Sequence, residues 1–361
     1  MQGRQAGQHA RWPAARRVTV LVVSVVLAVG LMTTAGSARS EPCRVRNADS
    51  GREFVRLQPA IAAAAAGDRV EVRGTCRGSS TVDKPLFIKG RTTRAWGRAR
   101  LEGNRTGAFV LSVPAEVGLT LGTLAIVGNR ADRHGVGGAL LNRGTTTLNS
   151  ARIRGPVYGT AIVNEGTLVL NGTSRVRDGV ENDGEMILND KSRIDGGQRA
   201  HTGPYDASGA QNYGLLTLND SSEIRDNRGH GVFNEGALVL NGASRIVGNR
   251  RSGVFDRGTI TLNGSSRISR NRGTGVYIQK GGTLTMNGRS WISRNSAAKG
   301  AGVFLRHGTL TMNGDSTIRY NEARYRGGGI YVARATLSGV HCGPGAGANV
   351  RHNKPRDCFF E

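Results

Sequence analysis

Apolar and polar residues alternate along most of this chain in short bursts rather than long stripes. Gly166-Thr167-Leu168-Val169-Leu170 is typical, with two leucines one residue apart, bounded by Gly166 and Asn171. That pattern predicts a short strand with one buried side. A few residues further on stands a lone β-branched residue between polar neighbours: Ile153, Val176, Ile194, Ile224, Ile246, Ile268, Ile292 and Ile318. A third burst joins a β-branched residue to an aromatic one, as in Val232-Phe233, Val254-Phe255, Val276-Tyr277, Val303-Phe304 and Ile330-Tyr331. Strands this short cannot bury a face alone, but stacked copies can, because each covers the next.

The three bursts form one unit, Gly-x-Leu-x-Leu-Asn-x-x-Ser-x-Ile plus its third strand. It starts at Gly144, Gly166, Gly184, Gly214, Gly236, Gly258, Gly282 and Gly308, with a weaker copy at Gly118. Successive starts are 22, 18, 30, 22, 22, 24 and 26 residues apart. Pairs such as Asn171-Gly172 and Asn263-Gly264 read singly as hairpin turns. A propeller blade, however, needs ~40 residues, so this shorter unit with three strands favours a coil. Asn149, Asn171, Asn189, Asn219, Asn241, Asn263, Asn287 and Asn313 form one column, and Asn227, Asn249, Asn271, Asn295 and Asn321 a second. Asparagine tolerates the left-handed backbone of sharp corners, and stacked copies can hydrogen-bond along the axis. The expected fold is an all-β parallel β-helix with three-strand rungs of about 22 residues. Phe54–Ala66 reads as an N-terminal capping helix with Phe54, Leu57 and Ile61 on one face.

The ends add a compartment. Arg4, Arg11, Arg16 and Arg17 precede the uncharged run Val18–Met32, and small residues lead to Ala38. This is the three-part pattern of a secretory signal, too short for a spanning helix of ~20 residues. The expected organisation is a signal at 1–38, a cap and first rungs at 39–117, regular repeats at 118–333 and a disulfide-closed end at 334–361. No membrane span is expected after cleavage, and the location is extracellular, with wall association open. Cys43 and Cys76 are 33 residues apart and Cys342 and Cys358 are 16 apart, which predicts two local disulfides in an exported chain.

The segment Leu57-Gln58-Pro59-Ala60-Ile61, then Gly67-Asp68 and Val72-Arg73-Gly74-Thr75-Cys76, resembles the opening of pectin-lyase-like right-handed β-helix proteins. Arg326-Gly327-Gly328-Gly329-Ile330-Tyr331 is similar to rungs of bacterial surface proteins of that kind. The resemblance covers roughly residues 43–361 and implies the right hand of the coil. It does not fix the chemistry, because the fold hosts uronate lyases, polygalacturonases, epimerases, tailspikes and non-catalytic adhesins.

Candidate chemistry is sparse. Gly229-His230-Gly231 looks like part of a polygalacturonase site, but the same columns hold Arg251-Ser252-Gly253 and Gly273-Thr274-Gly275, so it reads as one more third strand. Acidic residues concentrate at Asp178, Glu181, Asp183, Glu185, Asp190 and Asp195, continuing to Asp220, Glu223 and Asp226. Asp190 and Asp220 share a column, about 4.8 Å apart at strand spacing, and are a weak cation candidate. Ca²⁺ would be expected only if the protein were a lyase, and no other cofactor is indicated. The longest unit carries an insertion at 198–211 with His201, Tyr205 and Asp206, where a localised site could sit.

The chain has 50 Lys and Arg against 26 Asp and Glu, a formal charge of +24. Five arginines fall in one column, Arg152, Arg175, Arg193, Arg245 and Arg267, interrupted by Glu223, which is expected to bridge Arg193 and Arg245. Arginine pairs planar carboxylates and phosphates well. The reading is therefore a monomeric, non-catalytic binder of an acidic polysaccharide or cell-envelope polymer, with Arg152, Arg175, Arg193, Arg245, Arg267, His201 and Tyr205 as binding candidates. A lyase or hydrolase beside residues 178–211 and a structural spacer are the alternatives. No phosphate loop is present, so no nucleotide is expected. Outward threonine pairs, such as Thr259/Thr261 and Thr283/Thr285, read as ordinary strand chemistry.

Overall fold

Each unit of the repeat supplies one strand to each of three sheets, and each sheet runs the length of a coil. The computed structural model describes residues 42–92, 98–104, 108–129, 137–156, 159–197, 207–345 and 347–361. The expected signal at 1–38 and the candidates His201, Tyr205 and Asp206 lie outside the described residues. Twelve parallel strands build an isoleucine face, typified by Arg245–Val247, and twelve build an aromatic face, typified by Val232–Asn234. A leucine face, typified by Thr167–Asn171, carries fourteen. Neighbouring rungs pair without slippage, so equivalent residues of the repeat stand in columns along the axis.

Alternation turns every second residue inward. Leu168, Leu170, Ile194, Ile224, Val232 and Val254 are fully buried, as are their equivalents in the neighbouring rungs, while Leu337 and Cys358 in the last rungs are half-buried. Each such side chain contributes roughly 1.5–3 kcal/mol relative to exposure. The first glycine of each unit stands where rungs approach most closely. A Cβ at Gly166 would overlap the carbonyl oxygen of Gly144, and one at Gly236 would overlap that of Gly214. The same logic explains Gly-His-Gly: a Cβ on Gly231 would fall 2.5 Å from Cγ2 of Ile246. Gly231 is a packing residue of the corner.

Both expected asparagine ladders form. Asn171 Nδ2 donates to Asn149 Oδ1 at 3.2 Å, and the column continues through Asn313 to Asn287 at 2.8 Å. Asn227 Nδ2 donates to Asn249 Oδ1 at 2.9 Å, and that buried column runs to Asn353. A third ladder was not anticipated. It lies inside the aromatic face, where Asn142, Asn164, Asn182, Asn212 and Asn234 each donate to the next rung at 2.7 Å. Outside this face, Phe233, Phe255, Tyr277, Phe304, Tyr331 and Phe359 stack with ring centroids 4.7–5.7 Å apart.

The ends depart from the repeat. The helix spans Leu57–Ala63, shorter than expected, and buries Leu57, Ala60 and Ile61. Phe54 is not part of it, because Glu53–Phe54 is a strand that pairs antiparallel with Arg44–Asn47. Arg44–Asn47 in turn pairs antiparallel with Arg69–Arg73 and so covers the first edge of the leucine face. Both disulfides form, Cys43–Cys76 and Cys342–Cys358. No helix among the described residues is long and apolar enough to cross a membrane.

The third ladder ends on Asp256, since the next residue in the column is Ile278. Asp256 Oδ1 accepts from Asn234 Nδ2 at 2.7 Å and from the Gly258 N–H at 3.3 Å, while Oδ2 is buried without a hydrogen-bond partner. Burial raises its carboxyl to about 7, against the smaller opposing effect of those two donors. The protonated acid therefore favours folding. Its contribution is complete below the unfolded value of 3.8 and is lost as pH rises through about 7. For Asp256→Asn, urea unfolding from pH 4 to 8 should show stability relative to the parent shifting in the variant's favour as pH rises, by up to about 4 kcal/mol. A pH-independent difference would mean that Asp256 is not neutral in the folded chain.

Candidate functional site

The isoleucine face shows two outward positions per strand, on either side of the buried isoleucine. The first column reads Arg152, Arg175, Arg193, Glu223, Arg245, Arg267, Trp291, Thr317. The second reads Arg154, Arg177, Asp195, Arg225, Val247, Ser269, Ser293, Arg319, Arg351. The five arginines expected to align do share one column. A third column follows at the corner: Gly248, Arg270, Arg294, Tyr320 and His352, all with positive φ between 55° and 71°.

Charge along these columns is uneven. Asp195 is buried and holds three arginines, Arg175 at 2.7 Å, Arg193 at 3.2 Å and Arg177 at 3.4 Å. Glu223 holds Arg245 at 3.0 Å and Arg225 at 3.3 Å. Arg193 therefore pairs with Asp195 of its own strand and not with Glu223 as expected. Beyond Glu223 and Asp226, which also pairs with Arg225 at 3.1 Å, the carboxylates stop along these columns. Among the described residues, Arg267, Arg270, Arg294 and Arg319 have no ion-pair partner within 4.0 Å. Burial pulls Arg267 below the ordinary arginine value, and Arg245 and Arg270 add to this, partly offset by Glu223. A guanidinium remains cationic under such a shift.

Here the face opens into a trough of about 290 Å³. Its floor is Val247, Ser269 and Ser293, with Arg245, Arg267 and Trp291 along one side and Arg270 and Arg294 along the other. Arg225 with Glu223 stands at one end, and Arg319 with Tyr320 at the other. Trp291 orders the far end, with the Arg267 guanidinium 5.6 Å from its ring centroid and that of Arg319 5.9 Å away. Such cation–π contacts hold like charges close together while leaving their N–H groups available. Tyr320 stacks on His352 at 5.3 Å.

The structure places the remaining candidates elsewhere. Asp190 and Asp220 sit at positive-φ corners of the leucine face. Asp220 Oδ2 accepts the Asp190 N–H at 2.9 Å, and Asp190 Oδ2 accepts the Gly172 N–H at 2.6 Å. Their carboxylates are spent on the backbone, and no group of three or more acids, histidines or cysteines suited to a metal occurs among the described residues. His230 is buried against Phe255, and burial holds it at about 4, hence neutral near pH 7. Arg270, Arg294, Arg319, Trp291 and Tyr320 were not among the sequence candidates. A usable signal exists, since Arg270, Arg294 and Tyr320 stand just before the second asparagine column, where the preceding rungs carry Asp226 and Gly248.

No family model matches the chain, and no curated protein matches it. Among solved structures, a mutant of the periplasmic alginate epimerase AlgG aligns over 75% of this chain and 84% of its own, with 11% identity and a TM-score of 0.41.

The corner itself is testable. A non-glycine residue in the left-handed region costs about 1–2 kcal/mol, which Gly248 avoids. Arg294→Gly should therefore leave thermal stability equal to the parent or raise it by about 1 kcal/mol. A clear fall in Tm would mean that the Arg294 side chain supports the fold rather than the trough.

Proposed function

We propose that this protein is an exported, non-catalytic receptor for an acidic polysaccharide or cell-envelope polymer, held along the coil in the arginine trough. The observation that carries this is the run of four guanidiniums without acidic partners beside a floor bearing Ser269 and Ser293. A column of like charge that serves only solubility can be relieved by interleaved acids, as at Asp195 and Glu223. From Arg267 onward the relief is missing. An anionic chain would supply it and release its counterions, which makes binding fall with salt. The serine hydroxyls suit a hydroxyl-rich ligand. The disulfides fit an oxidising compartment.

Glu223 is held by two arginines, which suits it to shaping the end of the trough rather than to proton transfer. A lyase or hydrolase beside residues 178–211 and a structural spacer are separated from this reading by one assay. The chain from residue 39 is mixed with polygalacturonate, alginate and chondroitin sulfate, with and without Ca²⁺. Sedimentable binding is followed at low and high salt, together with unsaturated products and reducing ends. Binding without products, weakened by salt and by about tenfold or more in Arg267→Gln/Arg294→Gln, is the expected result. Products would make it an enzyme, and salt-insensitive binding or none would overturn the receptor.

A further inference from the structure

The basic surface looks open-ended when read as a column, but its geometry is closed. The second outward column is large and charged at Arg225, small at Val247, Ser269 and Ser293, and large and charged again at Arg319. The floor is thus three rungs long. At ~4.8 Å per rung, the distance from Arg225 to Arg319 is about 19 Å. Both ends are fixed in place, Arg225 by Glu223 at 3.3 Å and Asp226 at 3.1 Å, and Arg319 by the rings of Trp291 and Tyr320. The lateral wall is also built at a conformational cost, because Arg270 and Arg294 occupy left-handed corners. Acidic partners flank the approach at one end, at Asp195 and Glu223, where a longer polyanion would meet arginines already neutralised.

We infer that the trough is a site of fixed length for a short anionic oligosaccharide, about three sugar units, one for each floor rung at the ~4.8 Å strand spacing. This rests on the receptor reading and sharpens it. The four unpaired guanidiniums face charge carried on the sugars, the serine floor accepts and donates to their hydroxyls, and Arg225 and Arg319 meet the two ends. Toward residue 152 a longer polymer gains little from added length, because Arg154 already holds Asp178, and Arg175, Arg177 and Arg193 already hold Asp195.

The test is a length series. Binding of oligogalacturonates from dimer to octamer, of polygalacturonate and of tripolyphosphate is measured by calorimetry and by fluorescence at Trp291. Affinity should rise at least about tenfold from dimer to tetramer and then change less than about twofold to the octamer, unlike the continuing gain of a multivalent stripe. A steady rise to the octamer, or binding of the polymer with no oligomer bound, overturns the fixed length and leaves the receptor standing. Absence of binding by both overturns both. Tripolyphosphate binding as tightly as the trimer would show that charge alone is read and would remove the sugar. Ser269→Tyr, which fills the floor, should abolish trimer binding with unchanged circular dichroism and Tm; a folded variant that still binds refutes the site. Arg319→Ser opens one end and should move the plateau to longer oligomers, and an unmoved plateau refutes the role of that end.

Discussion

One distance governs this molecule, the ~4.8 Å at which each rung lies on the next. A strand of three residues has no stability of its own, so the coil holds only if every rung repeats in register. The corners enforce this. Glycine stands where rungs come closest, as at Gly166 and Gly236, and asparagine stands where the turn needs a side chain that can reach the neighbouring rung. Because register is kept along all three long sheets, each position of the repeat becomes a column. Apolar columns give a continuous core, and aromatic columns give the stack from Phe233 to Phe359.

The same rule makes like charges neighbours. An arginine repeated at the same position faces another arginine one rung away, and repulsion at that distance is weak only while water or carboxylates screen it. Asp195 and Glu223 take that role over the first part of the isoleucine face. Arg175 and Arg193, which look available in the sequence, are therefore already paired. Where carboxylates end, Trp291 takes over and separates Arg267 from Arg319 with its ring. An aromatic ring keeps cations in place without neutralising them, so it leaves a charged surface available to a ligand.

Periodicity made the rungs legible, because the unit recurs often enough to override the hairpin signal of Asn171-Gly172. It also placed Arg152, Arg175, Arg193, Arg245 and Arg267 in one column. It did not reveal the third ladder. Asn164 and Asn182 lie in strands next to turn-like residues, and only the pairing shows that their amides point inward. Nor did it assemble the trough, whose walls come from different columns. Arg270 and Arg294 reach the floor across a left-handed corner, and a linear pattern does not say which side of a corner a side chain takes. The apolar pattern around Phe54 is compatible with helix or strand, and the antiparallel partner Arg44–Asn47 makes it a strand.

That corner is where stability and recognition part. Glycine is the residue the backbone prefers there, and farther back along the coil Gly196 and Gly248 occupy it in alternation with Asp178 and Asp226. Three rungs in succession instead carry Arg270, Arg294 and Tyr320, each in a region that disfavours side chains. Arg270 and Arg294 coincide with the loss of acids from the adjacent columns and with the small floor residues Ser269 and Ser293. Any one of these departures could be drift in a repeat. Their coincidence in the same rungs relates them through a shared geometry, because a cationic wall is useful only beside an open floor, and an open floor exists only where large side chains are withdrawn. The regular coil supplies rigid spacing, and the proposed recognition site lies where the repeat stops repeating.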